Sequence, residues 1–446
     1  MGVIMQAFYW DCPKLEGKEF EWWNYVSEKI PELSNVGFTA LWLPPATKGA
    51  NLFGAMSMGY DPYDFYDLGE FDQRGSIPTW FGTRNQLENL IRTTHDHNMQ
   101  VYADMVLNHT NGADAEELNP LDGKRRWTKY NPASNKFSRD WTCYHPSNFE
   151  RWDDEGFEDM PDLCHRNPDV YKSLMEHARW LIEDIGFDGF RYDFVKGYGT
   201  WLILGIIERL YKKNGTDNYS PFGVGEYWSN DSYVTRWLHE INGYSDNPMT
   251  AFDFDLRQRL KGLCDQFGFS LKTLTQKGTL VTDGLSDWAV TFVENHDIVR
   301  MNSIINDKML AYAYILTHEG YPCVFWQDYY NWQLGREGDN TGIAALVRMH
   351  EQFAGGETTI LYCDDNLYIM QRQGYGAQPG LVFVLNNSEV WAGNYVTTHW
   401  MNTRFKPAAW YGTDSTNIPL EKFTDQHAGA EFWSPPRGYV VYVPVQ

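Results

Sequence analysis

Basic side chains are scarce in this 446-residue chain. Lys and Arg number 37 against 59 Asp and Glu, for a formal net charge of −22. That balance argues against a nucleic-acid or anionic-membrane partner, because capturing phosphates takes a basic patch. Cysteine is thin as well. Six residues (Cys12, Cys143, Cys164, Cys264, Cys323 and Cys363) are spread over the whole length. This is no dense disulfide framework, and a chain this long needs none. No apolar run is long enough to span a bilayer. No secretory leader precedes the first apolar segment, "VIMQAFYW", so the expectation is a cytosolic protein or one whose leader has been removed. Short repeats and low-complexity tracts are also missing.

Aromatic residues, by contrast, are plentiful: 16% of the chain, with 19 Trp. Most such rings fill cores, and the remainder are suited to stacking on ligands. The length allows one large core of roughly 250–350 residues plus a smaller domain. Short apolar runs recur with amphipathic stretches between them. The runs are "VIMQAFYW" (3–10), "FTALWLPP" (38–45), "MQVYADMVLNH" (99–109), "GFRYDF" (189–194), "FGVGEYW" (222–228), "MTAFDF" (249–254), "WAVTFVENHD" (288–297) and "PCVFWQD" (322–328). Each reads as a strand buried on both faces of a parallel sheet. "VYKSLMEHARWLIEDI" and "DKMLAYAYILTHEG" carry helical spacing, and the glycine after "THE" reads as a helix stop. Eight strands alternating with helices predict an α/β fold, a (β/α)8 TIM barrel.

Two stretches break the alternation. Residues 110–164 lack helical period and are too long for an ordinary βα loop, which predicts a subdomain inserted after the third strand. From 357 the pattern changes to alternating apolar and polar residues with turns between, as in "NLYIMQRQG" and "GLVFVLNNS". That predicts a C-terminal antiparallel β-sandwich domain. The expected division is a barrel over 1–109 and 165–356, an insertion over 110–164 and a β domain over 357–446.

Sites in such barrels lie at the C-terminal ends of the strands, so the polar residues there are the candidates. The third strand ends with Asp104, Asn108 and His109, and the fourth supplies Arg191 and Asp193. The fifth supplies Glu226, and the seventh ends with Glu294, Asn295, His296 and Asp297. Within "GFRYDFVKGY" (189–198), alternation sends Phe190, Tyr192 and Phe194 outward and Arg191 and Asp193 inward. Carboxylates converging on one pocket repel one another, which raises the pKa of at least one. One ionised and one protonated carboxyl are what glycoside cleavage requires. A lone strand-end carboxylate is more often a helix cap or an ion-pair partner. Three at matching strand ends, beside two histidines and an arginine, favour chemistry.

These motifs resemble those of the α-amylase family of glycoside hydrolases, in order and over nearly the whole chain. "DMVLNH" (104–109), "GFRYDFVKGY", "GVGEYW" (223–228) and "FVENHD" (292–297) are similar to its third-, fourth-, fifth- and seventh-strand motifs. "GFTALWLPP" (37–45), "MPDLCH" (160–165) and "MGYDPYDFYDLGEF" (58–71) match supporting regions. The Lys-Gly-Tyr ending and "VIMQAFYW" resemble the plant and archaeal branch. The resemblance implies Asp193 as nucleophile, Glu226 as acid/base and Asp297 as the stabiliser of the distorted sugar. It also implies Tyr60, His109, Arg191, Lys196 and His296 as substrate-binding residues. A structural Ca2+ would be held by Asn108, Asp153, Asp162 and the carbonyls of Glu155 and Gly197. A zinc ion near His145 and Cys164, with Glu150 at the third position and Cys143 and His165 close by, is the alternative to a buried free cysteine and a loop histidine.

The chain departs from the family pattern at Gly197, where many members have His, and at Ile298, where Thr is commoner. "FWQDYY" (325–330) departs too, and would reshape the pocket rim. The implied activity is retaining, endo-acting hydrolysis of α-1,4-glucosidic bonds in starch- or glycogen-type glucans. An exo-acting maltooligosaccharide hydrolase, an α-glucan transglycosylase and a non-catalytic glucan-binding relative are the alternatives. The expected partner is the glucan alone, for a monomer that is secreted, its leader absent, or cytoplasmic. Trp391, Trp400, Trp410 and Trp433 are candidates for core packing first and for a surface glucan site second.

Overall fold

The structure, a computed structural model, describes residues 2–13, 17–50, 57–153, 155–229, 232–414 and 416–445. Asp154, in the acidic stretch of the insertion, lies outside the described residues. A strand falls at each of the eight apolar runs, the last beginning one residue before its run, and these are numbered β1 (Ile4–Gln6), β2 (Ala40–Trp42), β3 (Gln100–Met105), β4 (Gly189–Tyr192), β5 (Phe222–Gly225), β6 (Thr250–Phe252), β7 (Ala289–Phe292) and β8 (Tyr321–Phe325). They close a barrel in the order β1-β8-β7-β6-β5-β4-β3-β2. The pairs β2–β3, β3–β4, β4–β5, β5–β6, β7–β8 and β1–β8 are parallel. The strands are short because the ladder ends where the polar rim residues begin.

The chain divides into two compact units, Met1–Gln6, Leu33–Thr39 and Asp253–Gln446 in one, and Ala7–Glu32 and Ala40–Phe252 in the other. In the second unit, the stretch from 170 predicted to be helical forms a helix over Pro168–Trp180. Asn167 caps it, and Pro168 sits at the first turn, where its missing N–H costs nothing. A wider turn over Leu181–Ile185 follows and closes at Gly186, whose φ of 102° favours a residue without Cβ. That stop delivers the chain to β4. Strand β5 runs close beneath the helix Ser232–Asn242, since a Cβ on Gly225 would lie 2.4 Å from the Trp237 ring.

The insertion holds a hairpin, Ala115–Asn119 with Lys124–Lys129, and single bridges at His109–Asp162, Tyr130–Arg139 and Tyr144–Leu163. Its organiser is Arg139, fully buried, with its guanidinium 4.3 Å from the Tyr130 ring and 4.8 Å from the Phe137 ring. It donates to Tyr144 Oη (3.0 Å) and to the Phe137 and Tyr63 carbonyls. A buried cation so enclosed ties together a segment with little apolar core of its own.

In the first unit the longer of the two helices between β7 and β8 differs from expectation. It spans Lys308–Ile315 and ends five residues before Gly320. Thr317 Oγ1 donates to the Ala313 carbonyl (2.7 Å) and the His318 ring bonds the Tyr314 carbonyl (2.9 Å). Side chains that bond their own helix backbone in this way compete with its continuation. All eight of its residues are buried, so the apparent stripe lies on a helix buried all round.

Beyond it are β9 (Thr358–Cys363), β10 (Leu367–Arg372), β11 (Leu381–Asn386), β12 (Ala392–Thr397), β13 (Arg404–Tyr411), β14 (Lys422–Phe423), β15 (Gly429–Ser434) and β16 (Gly438–Pro444). They form an antiparallel sheet β9-β10-β11-β16-β13-β14 and a ribbon β12-β15. Between the two layers pack Ile369, Val384, Val396, Phe405, Phe432 and Tyr442. Trp400 and Trp410 pack against this core. Trp391 donates to Asp414 (2.7 Å), and Trp433 lies over Gly393, 3.2 Å from Glu431.

Candidate active site

Parallel pairing sets Asp104 of β3 and Val224 of β5 beside Arg191 of β4. Residues in register share a face of the sheet, so Asp104 and Arg191 point together. Arg191 is fully buried. Its Nη1 donates to Asp104 Oδ1 (2.7 Å) and Asp193 Oδ1 (2.6 Å), and its Nη2 lies 2.8 Å from Glu226 Oε2. One guanidinium therefore holds three carboxylates, from the ends of three adjacent strands. Burial pulls the arginine down, but the charges of Asp104, Glu226 and Asp193 hold it well above its usual range. The surplus negative charge favours a proton on one of the three.

Asp104 anchors the group. It accepts from Trp42 Nε1 (3.0 Å) and Tyr60 Oη (2.8 Å) as well as from Arg191. Burial pushes its carboxyl up to about 6, against the downward pull of the arginine and these donors. The Arg191 guanidinium sits 5.2 Å from the Trp42 ring and 5.7 Å from the Tyr60 ring. Past the strand, the backbone continues the pairing: Asp193 N donates to the Met105 carbonyl and Glu226 N to the Tyr192 carbonyl. Phe194 follows in the left-handed region (φ 47°). Its N–H reaches Glu226 Oε2 (3.3 Å), and its ring meets Phe157 of the insertion at 5.1 Å. Phe194 therefore does not continue the outward alternation, because the strand has ended and the backbone has turned.

His109 bonds the Tyr60 carbonyl through Nε2 (2.9 Å) and stacks on Phe157 at 4.6 Å. Lys196 pairs with Glu155 at 3.3 Å. The remaining predicted residues of this unit gather at the insertion. Leu163 N donates to the Asn108 carbonyl and His145 N to the Asp162 carbonyl. His145, Asp153 and Asp162 can each offer one atom within 4.8 Å of the others. The Asp153 carboxylate lies 3.2 Å from His145 and 3.6 Å from His165. Burial pulls His145 down, but Asp153 and then Asp162 push it up overall. Burial pushes Asp162 up to about 8, with the Asp153 charge adding to it.

Among the described residues, both amide atoms of Asn108 and Asp162 Oδ1 are buried without a hydrogen-bond partner. A Cβ on Gly197 would lie 2.2 Å from Asn108 Oδ1. An oxygen-rich set of this kind, closed by a residue with no side chain, fits a hard cation such as calcium. His145, Glu150 and Cys164 form a second set within 4.8 Å, with the nitrogen, oxygen and sulfur donors that suit zinc. Neither Cys143 nor His165 belongs to it. Cys143 is buried, and His165 bonds the Leu107 carbonyl at 2.9 Å.

In the other unit, His296 and Asp297 form a group with Gln6 of β1. Gln6 Nε2 stands 3.1 Å from His296 Nδ1, and His296 Nε2 stands 3.2 Å from Asp297 Oδ2. If Gln6 donates to Nδ1, the ring proton is on Nε2, the nitrogen nearer Asp297. Asn295 Oδ1 accepts from the backbone N–H of Asp297 (3.0 Å) and Ile298 (2.8 Å), fixing the turn. Glu294 serves a different purpose. It is buried against Arg257 (3.0 Å), Lys308 (3.3 Å) and Ser303 (2.7 Å). Lys308 also pairs with Asp328 (2.7 Å), so the aspartate of "FWQDYY" is a fully buried ion-pair partner and not a rim residue. Sequence reasoning passed over Gln6 and Trp42, and gave Asp104 no role. A glutamine inside an apolar strand was the available signal for the first.

A family model described as "Alpha amylase, catalytic domain" matches residues 16–329. The chain is 34% identical over 380 residues to an alpha-amylase of Geobacillus stearothermophilus, covering 74% of this chain and 66% of that protein. It is 30% identical over 448 residues to a glucan 1,4-alpha-maltohexaosidase of Bacillus sp. (strain 707), covering 86% and 82%. Among solved structures, the alpha-amylase of Geobacillus thermoleovorans complexed with acarbose shares the fold. Its TM-score is 0.70 at 20% identity, covering 100% of this chain and 98% of that one.

Proposed function

The chain belongs to the alpha-amylase catalytic-domain family, and from that premise we propose retaining, endo-acting hydrolysis of α-1,4-glucosidic bonds in starch- or glycogen-type glucans. The observation that carries this reading is the Arg191 bridge, which ties Asp193 and Glu226 to neighbouring nitrogens of one guanidinium. Carboxyls held that close suit a covalent glycosyl intermediate, whereas inversion needs a gap for water. Asp193 attacks the anomeric carbon while Glu226 gives its proton to the leaving oxygen. Glu226 then takes a proton from the water that releases the sugar. Arg191 keeps Asp193 ionised and aimed. Asp297 holds the hydroxyls of the distorted ring, with His296 and His109 binding further hydroxyls. Tyr60 stacks on the sugar, and Lys196 contacts the leaving side.

The three-part division into barrel (1–109, 165–356), insertion (110–164) and β domain (357–446) belongs to the same reading. A calcium ion, held by Asn108, Asp153, Asp162 and the carbonyls of Glu155 and Gly197, would supply charge and cross-links to the insertion. Zinc at His145, Glu150 and Cys164 would supply a further cross-link. No helix among the described residues is long and apolar enough to cross a membrane. A monomeric, secreted enzyme is the state we propose, and fractionation of the source cells would reveal a cytoplasmic location instead.

A time course on amylose and on short maltooligosaccharides tests the activity. The expected result is mixed-length products with the α-anomer released first. A β-configured first product would sink the retaining mechanism, and a single product length would replace endo by exo action. Glu226→Gln should lower kcat by about 10²–10⁴-fold or more, the scale for removing a general acid.

A further inference from the structure

The turn that carries His296 and Asp297 is closed by an ion-pair network that takes no part in the chemistry proposed above. The chain leaves β7 after Phe292, passes through a four-residue helix, Ile298–Met301, and comes back beside its starting point at 302–304. Solvent lies on one side of this loop, with Met301 67% exposed. Arg257 fastens its two legs together. The arginine Nε donates to the Val293 carbonyl (3.1 Å) on the outgoing leg. Its Nη2 donates to the Asn302 carbonyl (2.7 Å) on the returning leg and to Glu294 Oε2 (3.0 Å). Glu294 completes the closure, its Oε1 accepting from Ser303 Oγ (2.7 Å) and from the Ile304 N–H (2.6 Å). Lys308 and Asp328 extend the network, so that two cations meet two anions.

The grip runs along one helix. Helix Phe254–Asp265 reads "RQRLKGLCD" over 257–265, which sets Arg257, Lys261 and Asp265 at i, i+4 and i+8 on one face. Lys261 donates to the Ser303 carbonyl (2.5 Å), and Asp265 Oδ1 accepts from the N–H groups of Ile305 (3.0 Å) and Asn306 (2.8 Å). Three charged side chains of one helix therefore hold the returning leg by its backbone. Arg257 is 2% exposed and Glu294 1%. A pair taken so far out of water often adds little net stability, because desolvation offsets the attraction. Its effect is on position. Asp297 stands three residues beyond Glu294, and Asn295 locks the turn between them by accepting from the Asp297 and Ile298 N–H groups.

We propose that Arg257 and Glu294 form a clasp that sets where the Asp297 carboxylate stands. Both are positioning residues for the reaction, buried beneath the turn they hold. This rests on the reading of Asp297 given above.

The test measures kcat and KM on a defined maltooligosaccharide with calcium present. Arg257→Met alone would leave Glu294 short of a partner, so it is combined with Glu294→Met, which removes both charges together. This double variant should melt near wild type yet lose kcat by about 10²-fold, the scale for a reacting group misplaced by about 1 Å, with KM little changed. In an Asp297→Asn background, followed at high enzyme concentration, the same pair should cost less than about threefold, because no carboxylate is left to place. Hydrogen exchange over 295–302 reads the clasp without activity and should quicken about tenfold, the scale of a lost buried hydrogen bond. If the double variant does not fold, Ser303→Ala takes its place, removing one bond to Glu294 and leaving every charge; the same non-additivity with Asp297→Asn is required of it. A wild-type kcat overturns the proposal, and so does an equal loss with and without the Asp297 carboxylate. Full kcat in Asp297→Asn alone would instead remove the catalytic reading of Asp297, while quickened exchange would still report the clasp.

Discussion

Replacing Gln6 by leucine should damage catalysis through His296 and not through the fold. Gln6 is fully buried, and its amide nitrogen stands 3.1 Å from His296 Nδ1. Leucine is close in volume but gives no hydrogen bond. Leaving a buried imidazole nitrogen unsatisfied costs about 1–3 kcal/mol, which corresponds to roughly 5–150-fold in an equilibrium or rate. The loss has a chemical direction. While Gln6 donates to Nδ1, the ring proton is on Nε2, the nitrogen 3.2 Å from Asp297 Oδ2. Without Gln6 the proton is free to move to Nδ1, and the Nε2 lone pair then faces a carboxylate. The deficit should fall on kcat, with KM changed less. The assay is kcat and KM on a defined maltooligosaccharide, with thermal melts alongside. A kcat within about twofold of wild type would falsify the tautomer argument. A lowered melting temperature with unchanged kinetics would reduce Gln6 to a packing residue.

His177 is 2% exposed and packs on Phe65, Tyr66 and Trp180, and burial lowers its pKa to about 3. The unfolded chain binds that proton near pH 6.5, so stability falls as pH drops from 6.5 toward 3, by about 2 kcal/mol at pH 5. His177→Leu should flatten the difference in denaturant-unfolding free energy between pH 7 and pH 5 by that order, and an unchanged slope would refute the assignment. Chelation with EDTA should lower the melting temperature and added calcium restore it; a melting curve indifferent to both would count against the oxygen-rich site. Gly197→Ala places a methyl group 2.2 Å from Asn108 Oδ1, so it should weaken the calcium dependence of the melt, and a wild-type calcium titration would exclude Gly197 from the site.

Much of the fold was legible before any coordinates, because burial on both faces of a parallel sheet leaves a continuous apolar run in the chain. Seven of the eight barrel strands lie inside the runs read for them, and β8 starts one residue earlier, at Tyr321. Their ends were less legible. Apolar character continues past Tyr192 into Phe194 although the strand has stopped, since the backbone turns into the left-handed region at Phe194 (φ 47°). The helix at Lys308–Ile315 was misjudged at its C-terminus because Thr317 and His318 bond back to their own helix, a competition that spacing does not reveal.

For the candidate site, the sequence by itself determined which residue types stand at the strand ends, since those motifs are local. It did not decide what each carboxylate does. Glu294 and Asp297 are three residues apart in one motif, yet Glu294 is consumed by Arg257 and Lys308, while Asp297 stays 28% exposed beside His296. Nor did it reveal that Asp104 shares Arg191 with Asp193, or that Gln6 orients His296. Those pairs lie 87 and 290 residues apart in the chain. Only strand pairing, β3 with β4 and β8 with both β1 and β7, brings them within hydrogen-bond reach, and a buried polar group takes its role from the partner it finds there.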